Sequence, residues 1–153
     1  KHVQQLTQEN HLRWDSLGEF CALGESLKFL AETKENQKAR VLGHAVDRAT
    51  QGILDQNKSP AYRVGQNDNR TSHYFSALYW AQALATQNED PALITQFAPI
   101  AKALEENEEV ILAELTADEG SPADLGGYFL TDPEKTEAIM RPSQTLLRIL
   151  GEV

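Results

Sequence analysis

Apolar residues recur along this chain with a helical period. From Ser16 to about Lys34, Leu17, Phe20, Cys21, Leu23, Leu27 and Leu30 fall close to one stripe, which predicts a helix. From about Asn36 to Asn57, Val41, Leu42, Ala45, Val46, Ala49, Ile53 and Leu54 predict a second. "NKSPAYRVG", Asn57 to Gly65, reads as a break, with a proline near its middle and a glycine at its end. "SHYFSALYWAQALATQ" predicts a third helix from about Ser72 to Gln87, apolar on most sides and therefore central in a bundle. Asp90 and Pro91 read as the N-cap and first position of a fourth helix. Pro99 predicts a kink or a new start, after which the pattern resumes through Leu104, Val110, Ile111 and Leu115. "DEGSPADLGGYFLTD" is not helical. Gly126 and Gly127 permit unusual backbone angles there, and Tyr128-Phe129-Leu130 suits a short extended segment. Thr131 or Asp132, followed by Pro133, starts a last helical region that Pro142 splits. The whole reads as mainly α, one helical unit over residues 1–153, without internal repeats.

Composition narrows the choices. A chain of 153 residues with 41 % hydrophobic and 24 % charged residues has enough apolar material for a core. The net charge of −9 argues against tracking a nucleic-acid backbone, so any anion site must be a local cluster of cations. No apolar run approaches the roughly 20 residues that span a bilayer, and no signal peptide is visible, so a cytoplasmic protein is expected. The single cysteine, Cys21, between Phe20 and Leu23, is expected as a buried thiol in a reducing compartment. The chain does not start with methionine and reads as a piece of something longer.

Most chemical motifs are missing. There is no G-x-S-x-G elbow, G-x-G-x-x-G or Walker sequence. His2, His11, His44 and His73 have no metal-ligand spacing, and "EENEEVILAEL" reads as a solvated helix face. Trp14 and Trp80 suit core packing better than cofactor stacking. What stands out is the start of the chain. Lys1, His2 and Arg13 gather positive character in an acidic protein, and a phosphate monoester needs such charge-assisted donors, preferably an arginine fork. Asp15 suits holding that arginine or accepting from a sugar hydroxyl. An ordinary helix start, with Asp15 or Ser16 as N-cap of "DSLGE", explains the same residues. "YRVGQNDNR" is similarly open: Arg63 and Arg70 flank a loop that either closes over an anion or is held by Asp68–Arg70 and Asn69 hydrogen bonds.

Several longer strings carry a resemblance. They are "KHVQQLTQENHLRWDSLGEF" (Lys1–Phe20), "SPAYRVGQNDNRTS" (Ser59–Ser72), "ALYWAQALATQNED" (Ala77–Asp90), "FAPIAKALEENE" (Phe97–Glu108), "DLGGYF" (Asp124–Phe129) and "MRPSQT" (Met140–Thr145). In order, they resemble the C-terminal part of the monomeric NADP-dependent isocitrate dehydrogenases of bacteria. The resemblance implies the helical C-terminal part of the small domain of an α/β enzyme of the isocitrate/isopropylmalate dehydrogenase type. It implies a monomeric parent that converts isocitrate and NADP to 2-oxoglutarate, carbon dioxide and NADPH in the tricarboxylic acid cycle, with Mg²⁺ or Mn²⁺. By the same resemblance, His2 and Arg13 match the histidine and arginine that hold the 2′-phosphate of NADP. Lys1, Trp14 and Asp15 lie in the same motif, with Asp15 near the adenosine. A third family arginine follows Ser-Pro. Here Tyr62 stands in its place and Arg63 is a substitute one residue later. The metal ligands, isocitrate-binding residues and catalytic lysine and tyrosine belong to parts of the family that precede this chain, so the resemblance implies no catalytic or metal site within it and an inactive isolated chain.

The competing reading is a non-enzymatic helical module that binds a protein partner through the "EENEEVILAEL" face or the apolar "YFSALYW" helix. The fragment reading instead carries the expectation that faces covered in a longer parent are exposed here and promote weak self-association.

Overall fold

The computed structural model describes residues 1–151. Among them are eight α-helices and no strand, which agrees with the mainly α reading. The helices are α1 (His2–Glu9), α2 (Leu17–Thr33), α3 (Gln37–Asp55), α4 (Asn69–Thr86), α5 (Pro91–Glu106), α6 (Glu108–Thr116), α7 (Pro133–Met140) and α8 (Gln144–Leu150). They are distributed over two compact units. The first takes Lys1–Asp15, Ser59–Ser72 and the stretch from Asn107 onward; the second takes Ser16–Lys58 and His73–Glu106.

The second unit is built on the α2–α3 hairpin. Asn36 caps α3 by accepting from the Ala39 amide at 3.0 Å. The two helices approach closely because glycines face each other. A Cβ on Gly43 would lie 3.1 Å from the Gly24 carbonyl oxygen and 3.2 Å from Leu27 Cβ. Lys28 ties the pair together, contacting Glu25 at 2.5 Å and Asp47 at 2.9 Å. These two carboxylates, Glu25 first, hold the Lys28 ammonium well above its ordinary value of 10.5. Val41 and Ala45 of α3 pack with Ala83 and Leu84 of α4 and Leu93 of α5, flanked by Leu42, Trp80 and Phe97. Tyr74, Phe75, Leu78, Ala81, Ala83 and Leu84 are all buried, so α4 is covered on several sides, as its apolar pattern predicts. Its buried polar groups are paired: Tyr74 Oη donates to the Leu104 carbonyl at 2.9 Å and Trp80 Nε1 to the Leu42 carbonyl at 3.2 Å. Within "YFSALYW", Tyr74, Phe75 and Leu78 are buried, while Ser76, Ala77, Tyr79 and Trp80 are half-buried.

Three expectations about α2, α5 and α4 are corrected. Cys21 is exposed, not buried. The buried stripe of α2 runs through Phe20 and Gly24, and one residue further turns the side chain about 100° away. Pro99 starts no new helix; it lies inside α5, and the break falls at Asn107 instead. The missing hydrogen bond of a mid-helix proline costs about 3 kcal/mol, and burial of Leu93, Ala101 and Leu104 on both sides of it offsets that cost. The α4 helix begins at Asn69 rather than Ser72. Asp68 accepts from the Thr71 amide and its own amide donates to Thr71 Oγ1, a reciprocal cap that the apolar pattern does not show.

In the first unit, α1 stops at Asn10, whose φ of 47° is left-handed. Ile111 and Leu115 of α6 and Leu147 of α8 are buried. Asp132 caps α7, accepting from the Lys135 amide at 3.0 Å, with Pro133 in the first turn as expected. Ser143, just after Pro142, caps α8. The 117–132 region is irregular, and Tyr128-Phe129-Leu130 forms bends instead of an extended segment. The chain doubles back there so tightly that a Cβ on Gly127 would lie 2.3 Å from the Leu130 carbonyl oxygen. Phe129 is 96 % exposed. No helix among the described residues is long and apolar enough to cross a membrane.

Candidate functional site

An open cleft of about 790 Å³ lies within the first unit. One wall is α1 with the residue before it: Lys1, Gln4, Gln5, Gln8 and Glu9, spaced so that they share a helix face. Arg13, Tyr62, Arg63 and Val64 form the rest. Thus two distant stretches of sequence, the start of the chain and the loop after Ser59-Pro60, meet in one concavity. Three cations face one carboxylate, Glu9, so the cleft is locally basic in an acidic chain. The first turn of α1 contains no acid, which leaves the positive end of its dipole uncompensated from within the helix.

The loop is anchored residue by residue. His11 Nε2 donates to the Ala61 carbonyl at 2.9 Å. Gln5 Nε2 donates to the Tyr62 carbonyl at 3.0 Å and to Glu9 Oε2 at 3.0 Å. The Gly65 amide donates to Glu119 Oε2 at 3.1 Å. So fixed, the Tyr62 ring lies under the Arg13 guanidinium, 4.4 Å from centroid to Cζ. Arg13 Nε is buried without a hydrogen-bond partner among the described residues, as are His2 Nδ1 and Gln5 Oε1.

The residues singled out from the sequence divide accordingly. Lys1, Arg13, Tyr62 and Arg63 come together in the cleft. His2 does not line it; its ring packs edge-on against Trp14, with centroids 5.6 Å apart and planes at 88°. Trp14 is 49 % exposed rather than in the core, and Asn69 Nδ2 holds its carbonyl at 2.9 Å. Asp15 is exposed and does not line the cleft. Ser16, not Asp15, stands at the N-cap of α2, without a side-chain cap hydrogen bond. Gln4, Gln5, Gln8, Glu9 and Val64 were not anticipated. For the glutamines the signal was available, because their spacing puts them on one helix face with Lys1.

Arg70 takes no part in the cleft. It is buried, with Nε donating to Asp68 at 2.7 Å and its terminal nitrogens donating to Asn10 Oδ1, the Asn10 carbonyl and the Ile139 carbonyl at 2.7–3.0 Å. In "YRVGQNDNR", Arg70 follows the internally bonded reading, while Arg63 lines the cleft.

His11, Asp68 and Glu119 bring ligand-type atoms within 4.8 Å of one another. A metal does not fit this donor set. The Ala61 carbonyl can only accept, so His11 Nε2 donates to it, and Nδ1 is engaged by Glu119. The oxygens of Asp68 are taken up by Arg70, the Thr71 amide and the Leu12 amide. The cluster is a buried polar lock between the α1–α2 junction and two loops.

The helical frame presents a locally basic cleft, and comparison with known proteins supplies the family. The model of the monomeric isocitrate dehydrogenase family matches residues 1–151, and the chain belongs to that family. It is 54 % identical over 153 residues to the isocitrate dehydrogenase (NADP) of Corynebacterium efficiens, which covers all of this chain and 21 % of the relative. Isocitrate dehydrogenase (NADP) 2 of Psychrobacter sp. is 54 % identical over 143 residues, 94 % of this chain and 19 % of its own. The enzyme of that name from Mycobacterium tuberculosis is 49 % identical over 153 residues, 100 % of this chain and 20 % of its own. The chain therefore spans about a fifth of the length of the curated relatives it matches.

Proposed function

We propose that this chain is the cofactor-selecting part of an NADP-dependent isocitrate dehydrogenase, a cytoplasmic, monomeric enzyme of the tricarboxylic acid cycle. The observation that carries the reading is the convergence of Lys1, Arg13 and Arg63 on one cleft of an otherwise acidic chain. A phosphate monoester dianion suits that set, because charge-assisted donors gain most where local cations outnumber acids. The N-terminal end of α1, whose first turn holds no acid, adds to the same field. In the whole enzyme, NADP supplies the hydride-accepting nicotinamide. Here Arg13, with Lys1 and Arg63, binds the 2′-phosphate. His2, which packs against Trp14 and whose buried Nδ1 has no partner among the described residues, is the second contact we assign to that group, and Asp15 accepts from the adenosine sugar. A 2′-hydroxyl cannot satisfy these cations, so the site favours NADP over NAD. The divalent metal, Mg²⁺ or Mn²⁺, and isocitrate are held by residues outside this chain, and the His11–Asp68–Glu119 cluster does not substitute for them.

The test is a His2→Leu/Arg13→Asp variant of the full-length enzyme. We expect kcat/KM for NADP to fall about a hundredfold or more, the size of two lost charged hydrogen bonds, with little change for NAD. An unchanged cofactor preference overturns the reading.

A further inference from the structure

We propose that Tyr62 is a positioning residue that sets cofactor selectivity through Arg13, not by touching the cofactor. The inference rests on the cofactor-selecting reading above. Its own observation is the stack of the Arg13 guanidinium on the Tyr62 ring, 4.4 Å from Cζ to centroid.

A long arginine side chain at a cleft wall is mobile, and ordering it on ligand arrival opposes binding. The Tyr62 ring removes that cost in advance. It attracts the cation to its face and leaves the guanidinium edge for a ligand. Arg13 Nε is buried without a hydrogen-bond partner among the described residues, so the protein leaves a donor of the stacked guanidinium unspent. The platform is itself rigid where it matters. The Tyr62 carbonyl is held by Gln5, and the adjoining Ala61 carbonyl by His11. The ring is 69 % exposed, so little of the fold depends on it. An exposed aromatic ring at a loop tip, fixed through its backbone and capped by a cation, is arranged to hold that cation.

A double-mutant cycle in the full-length enzyme separates the possibilities. Tyr62→Phe, Tyr62→Leu, Arg13→Ala and the Tyr62→Leu/Arg13→Ala pair are titrated calorimetrically with adenosine 2′,5′-bisphosphate and with adenosine 5′-monophosphate. Tyr62→Phe keeps the ring and is expected to bind the bisphosphate like the parent. Tyr62→Leu is expected to weaken it about three- to fivefold, the scale of an exposed cation–π contact, and to leave the 5′-monophosphate unchanged. Arg13→Ala weakens the bisphosphate further, and the double variant equals Arg13→Ala alone. In kinetics, Tyr62→Leu raises KM for NADP without lowering kcat. If the two single effects multiply in the double variant, Tyr62 acts on the ligand directly and the proposal fails. It fails also if Tyr62→Leu matches the parent while Arg13→Ala does not. If Arg13→Ala itself leaves bisphosphate affinity unchanged, the cofactor-selecting reading falls, and the role of Tyr62 with it.

Discussion

Arg70 and Arg13 show how far residue type alone misleads. Both are arginines near a polar loop, yet Arg70 spends its donors on Asp68, Asn10 and the Ile139 carbonyl, while Arg13 faces a cleft. The difference was not legible in the sequence, because Asn10 and Ile139 lie far from Arg70 along the chain. Burial makes Arg70 a structural residue with a large expected effect. Arg70→Met leaves the Asp68 carboxylate buried without its partner, which typically costs about 3–5 kcal/mol. Urea unfolding of the variant should show a loss of that order, and a loss under about 1 kcal/mol would count against a buried, essential pair. Cys21 teaches the same lesson with the opposite sign. Its neighbours are apolar, but a single helical step takes it off the buried stripe.

At the scale of elements, capping chemistry was the most readable feature. Asp90 before Pro91 and Asp132 before Pro133 both accept from the amides that an N-cap should satisfy. Asn36 and Ser143 do likewise. What the sequence could not show is that α8 has a second cap, supplied by α6. Glu114 accepts from Ser143 Oγ at 2.6 Å, from the Thr145 amide at 3.1 Å and from Thr145 Oγ1 at 2.9 Å. The Ser143 hydrogen bond, and then those of Thr145, outweigh desolvation and hold the Glu114 carboxyl below its ordinary 4.5. A carboxyl depressed in the folded state stabilises it fully above 4.5. That contribution is lost as pH falls through the lower folded value. Stability should therefore decline in acid below about pH 4.5. Glu114→Gln should be less stable at neutral pH and show a shallower acid decline, measured by denaturant midpoints across pH 2–7. An acid limb identical to that of the parent would remove Glu114 from this role. Pro99 and the α2–α3 crossing lie beyond such local reading. Packing on both sides carries the helix through the proline, and only the facing partner explains why residue 43 is glycine.

For the whole molecule, the cleft lies within one compact unit, so its cationic lining is already assembled in this chain. Calorimetric titration at low salt should accordingly show NADP binding more tightly than NAD, with the difference lost on Arg13→Ala. Equal affinity for both cofactors would mean that the lining does not discriminate by itself. Apolar surface at Leu23, Phe29 and Leu30 of α2, and at Tyr128-Phe129-Leu130, is exposed in a chain about a fifth as long as its relatives. The sequence by itself determined most of the helices and the caps at Asp90 and Asp132, because periodicity and capping are local properties of a few consecutive residues. It also carried the family, through strings such as "HLRWDSLGEF" and "DLGGYF". Tertiary structure alone decided which cations are spent internally and which face a cleft. It also stacked Arg13 on Tyr62 and distributed the helices over two units. Those outcomes depend on residues that are distant in the chain and adjacent in space, and no local pattern encodes that adjacency.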